Sequence, residues 1–190
     1  MGESIRESQE NATWRASVES AESIPGLTVA GHDIKGINFS GKSLHDADFT
    51  KADLRGARFQ DADLTGADFT GADLRQANFI GANLQDASLV NANLSQASLH
   101  SANLSNAAVA GPKTSFSGTK MNARTCWPKG LTREQLDNLL NGVIVERYVD
   151  SDGRVLTLRE DVKDGRFGGE QAPRCRLWEH GHRVYPEWTQ

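Results

Sequence analysis

The chain has 190 residues, of which 37% are hydrophobic and 24% charged, with a formal net charge of −4. That length can bury a core of ordinary domain size, and the weak charge excludes the strong positive field by which proteins hold nucleic acid. No apolar stretch approaches the roughly eighteen residues of a membrane span and no basic-then-apolar leader opens the chain, so a soluble, cytoplasmic protein is expected, with Cys126 and Cys175 as reduced thiols.

Residues 1–28 carry two basic and five acidic groups. Asn11 is a suitable N-cap for a short helix in which Trp14, Val18 and Ala21 share a face, and Pro25-Gly26 separates that helix from the next segment of the chain. The helix is expected to cover one end of a core, with Trp14 in the lid.

From Ala47 to Ala107 every fifth residue is alanine, and two places after each stands Leu or Phe until Val109. Thirteen alanines thus fall in one column; stepping backwards by five, the large apolar column continues through Leu44, Phe39, Ile34 and Val29, giving seventeen units over residues 29–111. Neither a helix nor a flat strand keeps positions five apart on one side, so the chain must turn once per unit. A short extended segment directs the alanine and the Leu or Phe inward and leaves the Asp or Asn between them outside, and the last two residues form the corner.

These residues resemble the pentapeptide-repeat family, whose pattern is A-(D/N)-(L/F)-x-x. The resemblance implies an all-β solenoid, a right-handed quadrilateral β-helix with four pentads per coil and so about four coils. Residues twenty apart then stack. Phe39, Phe59 and Phe79 fall on one face and Phe49 and Phe69 on the opposite one, with Ile34, Leu54, Leu74 and Leu94 on a third and Leu44, Leu64, Leu84 and Leu104 on the fourth. Beyond Phe79 the pentads offer only Leu or Val, which predicts a slimmer C-terminal end.

On the outside, Asp33, Asp53 and Asp73 run beside Lys35, Arg55 and Arg75 and are expected to neutralise one another. The strongest acidic edge gathers Asp46, Asp48, Asp63, Asp68 and Asp86 on two adjoining faces, with Lys51 as partial relief. Ile80 and Val90 are large apolar residues at outward positions. Together these are candidate surfaces for a protein partner.

Residues 112–142 form a C-terminal cap with a complete helix-start signature: Thr132 as N-cap, Gln135 closing the capping box, Leu131 and Leu136 as staple, and Gly142 as stop. Leu136, Leu139 and Leu140 make its apolar stripe, which packs on the last coil or forms a homodimer seam, as the resemblance allows. Residues 143–190 read as a small hairpin module, one hairpin around Asp152-Gly153 and one through His180-Gly181-His182. Its aromatic residues Tyr148, Trp178, Tyr185 and Trp188 form a small core or a docking surface; Trp178 and Tyr185 join the candidate interaction residues.

Catalytic and metal motifs are not expected. Cys126, Cys175, His180 and His182 are zinc-binding types without zinc-site spacing, and Asp150-Ser151-Asp152-Gly153 departs from a calcium loop at its fourth position. The chain reads as a non-catalytic, cofactor-free protein-interaction scaffold. The family resemblance implies an alternative, a rod that imitates duplex DNA, binds DNA gyrase or topoisomerase IV and protects them from quinolones or toxins.

Overall fold

The computed structural model describes residues 12–121 and 125–126, together with the backbone pairing of a few short strands further on. The Asn11 cap, the helix expected from Thr132 to Gly142 with its dimer seam, Cys175 and Tyr185 lie outside the described residues. No helix among the described residues is long and apolar enough to cross a membrane.

Residues 12–20 form a helix, α1. The chain then coils, and parallel bridges link positions twenty apart: Thr28 to Asp48, Asp48 to Asp68, Asp68 to Ser88 and Ser88 to Ala108 on one face, with matching ladders on the other three. Four pentads therefore make one circuit. The ladders reach beyond the regular repeats, from Ser23 below to Cys126 above. We name the four faces by one large inward residue each: face D carries Ile34, face A Phe39, face B Leu44 and face C Phe49.

One pentad shows why the motif has its form. In Ala62 to Gly66, the Ala62 N–H turns back to the Phe59 carbonyl (3.1 Å), Asp63 donates to Lys42 below (2.9 Å), and Leu64 and Gly66 donate to Asn83 and Gln85 above (2.8 and 2.9 Å). The remaining N–H, that of Thr65, is met by the Asp63 side chain (Oδ1, 3.2 Å). Asn does the same work, as at Ile80 to Asn78 (3.0 Å) and Ser105 to Asn103 (3.0 Å). The Asp/Asn preference is thus a backbone requirement, an acceptor for the one N–H that neither neighbouring coil can reach. The corner residue has a left-handed backbone, with φ of 55°, 54°, 68°, 55° and 72° at Asp46, Lys51, Gly56, Asp61 and Gly66. Gly, Asp and Asn suit that geometry; Lys51, Gln76, Gln96 and Ser101 adopt it as well.

Inside, the alanines and the Leu or Phe residues of the array are almost wholly shielded from solvent. Phe39, Phe59 and Phe79 stack with ring centroids 5.3 and 4.8 Å apart, Phe49 and Phe69 stack at 4.8 Å, and rings of the two ladders meet edge to face at 5.7 to 5.9 Å. Such pairs add to the burial of the rings themselves. Above Phe79 the core is not uniformly slimmer as predicted: Phe116 takes the inward place over Leu94, because Ser115 bridges to Asn93, and it is fully buried.

At the lower end Val18 of α1 enters the core and Trp14 packs against it with Ile24 and Leu27. Polar ties fix the helix. Arg15 donates twice to the Lys35 carbonyl (both 3.1 Å), Glu19 accepts from the Asn38 N–H (3.0 Å), and the buried Lys42 ammonium donates to the Glu19 carbonyl (2.7 Å) and to that of Ala21. Lys42 stands where later pentads have alanine, and its charge answers the carbonyls at the C-terminus of α1.

Beyond the array, β1 (Lys120–Met121) pairs in parallel with β2 (Ile144–Val145), so β2 adds a rung above Ser98 and Lys120 on face A. The sequence predicts the first hairpin from Val143 to Leu158, which includes β2; the antiparallel pair that flanks Asp152-Gly153 is β3 (Tyr148–Val149) with β4 (Val155–Leu156). A second antiparallel pair joins β5 (Trp178–Glu179) to β6 (His182–Arg183).

Two substitutions probe this architecture. Phe59→Ala removes the ring central to both aromatic ladders and is expected to lower unfolding free energy by about 3–5 kcal/mol; a denaturation midpoint unchanged from the parent would refute that packing. Lys42→Ala withdraws a charged donor from two carbonyls and is expected to cost about 1.5–3 kcal/mol in the same assay, with α1 amides losing hydrogen-exchange protection first.

Candidate functional site

The four faces differ in how their outward carboxylates are used. On face D the charges form a continuous ladder. Lys35 Nζ meets Asp33 (2.5 Å) and Asp53 (3.2 Å), Arg55 meets Asp53 (2.8 Å) and Asp73 (3.7 Å), and Arg75 meets Asp73 (2.5 Å). Arg55 engages Asp53 through both Nε and an Nη, each at 2.8 Å. The Arg55 hydrogen bonds hold the Asp53 carboxyl down at about 2, against the opposing effect of burial, with help from Lys35. Asp33 is lowered chiefly by its hydrogen bond from Lys35 and Asp73 by that from Arg75. Face D is therefore self-neutralised, as its sequence pattern predicts.

Face B is different, and here the structure corrects the expectation from sequence. Asp63, expected on an exposed acidic edge, is buried at 6% exposure, in line with Asn83 and Asn103 above it. Asn103 Nδ2 donates to Asn83 Oδ1 (2.9 Å), and Asn83 Nδ2 donates to Asp63 Oδ1 (3.2 Å) and Thr65 Oγ1 (2.9 Å). The Thr65 hydroxyl completes the set on Asp63 (2.6 Å), whose other oxygen faces His45 Nδ1 at 3.6 Å. Stacking at a fixed register places amide over amide, so each side chain covers the next; that coverage arises between coils and leaves no trace inside one pentad. Asp63 is consequently a structural acceptor and not a surface charge.

The other candidate acids do come together. Asp48 and Asp68 are successive rungs of face C, and Asp46 and Asp86 sit at the exposed corner between faces B and C, two coils apart, with Gly66 between them. Gly66 leaves room for Asp46: a Cβ there would lie 2.3 Å from Asp46 Oδ1. Asp48 Oδ1 accepts from the Thr50 N–H (2.9 Å) and hydroxyl (2.8 Å), and Asp68 Oδ1 from the Thr70 N–H (2.8 Å). Asn would serve these turns equally, as Asn78 and Asn93 show. Among the described residues no Lys or Arg pairs with Asp46, Asp48, Asp68 or Asp86. At Asp48 and Asp68 the backbone uses the acceptor and not the charge, while Asp86 accepts from the neutral Gln85 amide (3.1 Å).

The apolar candidates do not form a patch. Ile80 is exposed at 38% on face A and Val90 is half-buried on face C, on the opposite side of the column. Trp178 is seen only as backbone in β5, and Tyr185 lies outside the described residues. Among the described residues no group of His, Cys, Asp or Glu is arranged to hold a metal ion. The expected reduced state of Cys126 is also corrected: it is buried above Asn103 and disulfide-bonded. Oxidation requires a second sulfur brought near by folding, which local spacing does not reveal.

Face D yields a pH prediction. Asp53 has a folded-state value of about 2 against an ordinary 3.8, so its contribution is complete above the ordinary value and is lost as pH falls through the folded one. Asp53→Asn, which keeps the turn acceptor, is expected to melt below the parent at pH 7 and to converge with it near pH 2. Equal melting temperatures at both pH values would exclude a stabilising ladder.

The family described as Pentapeptide repeats (8 copies) matches residues 43–79 and 77–111. No curated protein sequence matches the chain. Among solved structures, a pentapeptide repeat protein from the Arabidopsis thaliana thylakoid lumen is 27% identical, with a TM-score of 0.44, the match covering 74% of this chain and 88% of that one. Rfr23, a pentapeptide repeat protein from the cyanobacterium Cyanothece 51142, is 22% identical with a TM-score of 0.34, covering 63% and 99%. QnrB1, a plasmid-mediated fluoroquinolone resistance protein, is 18% identical with a TM-score of 0.34, covering 66% and 92%. The pentad motif, its four-faced coil and the matched segment agree: residues 43–111 of this chain are an array of pentapeptide repeats.

Proposed function

We propose that this protein is a non-catalytic scaffold, a rigid quadrilateral β-helix, right-handed as the family resemblance implies, that engages a protein partner through the acidic edge of faces B and C. The observation that carries this reading is the division of labour among its aspartates. Face D spends its carboxylates on ion pairs and Asp63 is committed to a buried network. Asp48 and Asp68 keep a charge where Asn would satisfy the backbone, and Asp46 and Asp86 extend that charge along the corner. A partner presenting Lys or Arg at the spacing of the coils, about 4.8 Å per rung, is complementary to such an edge. The stacked Phe core fixes that spacing.

The same charges are the observation that favours the second reading, imitation of duplex DNA toward DNA gyrase or topoisomerase IV. Two features weigh against it. The edge is short, since Asp63 gives way to Asn83 and Asn103 on face B and Asp68 to Ser88 and Ala108 on face C, and face D interrupts the negative field with Lys35, Arg55 and Arg75.

Inhibition of gyrase supercoiling separates the two readings when the native chain is compared with an Asp46/Asp48/Asp68/Asp86→Asn variant, which keeps every turn acceptor and removes four charges. The scaffold reading expects no inhibition by either protein at tens of micromolar. Inhibition by the native chain that the variant loses, at an unchanged melting temperature, would replace it with the mimic.

A further inference from the structure

The upper end of the column departs from the rule that builds the rest. Below it, bridged residues are twenty apart; Asn93 to Ser115 and Ser98 to Lys120 span 22, Asn103 to Cys126 spans 23 and Lys120 to Ile144 spans 24. The Asp and Asn acceptors of the regular pentads give way to Ser115, which accepts from the Ser117 N–H (3.4 Å), and longer-range ties join it. Thr119 and Thr125, in the inward positions that alanine holds below, donate their hydroxyls to the Leu94 and Leu99 carbonyls, each at 2.8 Å. Cys126 stands on the rung above Asn103, 5% exposed, and is disulfide-bonded.

The sequence contains one other cysteine, Cys175. We propose that Cys126 and Cys175 form an intrachain structural disulfide and that the protein works in this oxidised form, its C-terminal region held covalently to the last irregular rung of face B. The bond closes a loop of about fifty residues and stabilises the fold chiefly by restricting the unfolded chain. Its formation removes two protons and two electrons from the thiols; these pass by exchange to a disulfide donor of the glutathione or protein-disulfide class, which leaves as thiols. A persistent bond of this kind belongs to an oxidising environment, in contrast to the cytoplasmic setting inferred from composition.

The test uses the full chain equilibrated in oxidised or reduced glutathione, quenched in acid, then denatured with N-ethylmaleimide so that a buried thiol is also labelled. The expected result is a Cys126–Cys175 linked peptide in the oxidised sample, and a melting temperature roughly 5–15 °C above that of the reduced protein. Cys175→Ser, which leaves Cys126 in its buried place, is expected to melt like the reduced parent in both buffers. Two labelled cysteines in the oxidised buffer, a bond joining two chains, or equal melting of the oxidised and reduced forms would each overturn the proposal.

Discussion

The structure depends on a hydrogen bond that recurs in the Asp and Asn pentads, from the N–H two places after that residue to its side chain. Four of the five N–H groups in a unit such as Ala62 to Gly66 find carbonyls in the same coil or in the coils above and below, and Asp63 Oδ1 receives the fifth. Without it each unit would leave a partly shielded donor unmet, at a cost of about 1–3 kcal/mol. Repeated along the array, that term is comparable with the whole stability of an ordinary domain. The left-handed corners, strained wherever the residue is not glycine, persist because this bonding scheme determines them from both sides.

The core and the ends obey the same regularity. A coil with a fixed rise per turn can stack identical side chains, and Phe39, Phe59 and Phe79 exploit this as parallel rings, interlocked with Phe49 and Phe69 at steep angles. Stacking alone has no natural stop, so exposed strand edges must be dealt with separately. At the lower end the solution is electrostatic as well as apolar: Lys42 occupies an alanine position and directs its ammonium at the end of α1, while Glu19 covers an N–H of the first coil. At the upper end Thr119 and Thr125 tie strands whose spacing has outgrown the repeat.

Because Asp and Asn meet the backbone requirement equally, the array can vary its surface charge with little effect on its fold. Charge then becomes informative. Where an aspartate is joined to Arg55 or Arg75 its charge has a structural use; where it is buried, as at Asp63, it terminates a hydrogen-bond chain; where neither holds, as at Asp48 and Asp68, the charge has no basic partner among the described residues. A negative count over the whole chain conceals these three roles.

The sequence by itself determined the pentad and the inward columns, because a strict period of five turns the chain once per unit; with the four pentads per coil that the family resemblance implied, twenty residues per circuit then set the Phe and Leu faces and the neutralised face D. Ion pairs two residues apart, such as Asp53 with Arg55, are legible for the same reason. Only the tertiary structure decided what depends on contact between coils or on the irregular ends. The stacked amides that bury Asp63, the entry of Phe116 above Leu94, the use of Lys42 as a helix anchor and the oxidised state of Cys126 all arise where side chains distant in sequence meet. A repeat fixes where its backbone goes; burial and charge compensation depend on which neighbours that path brings within a few ångströms, and at the ends, where the period fails, no local pattern specifies them.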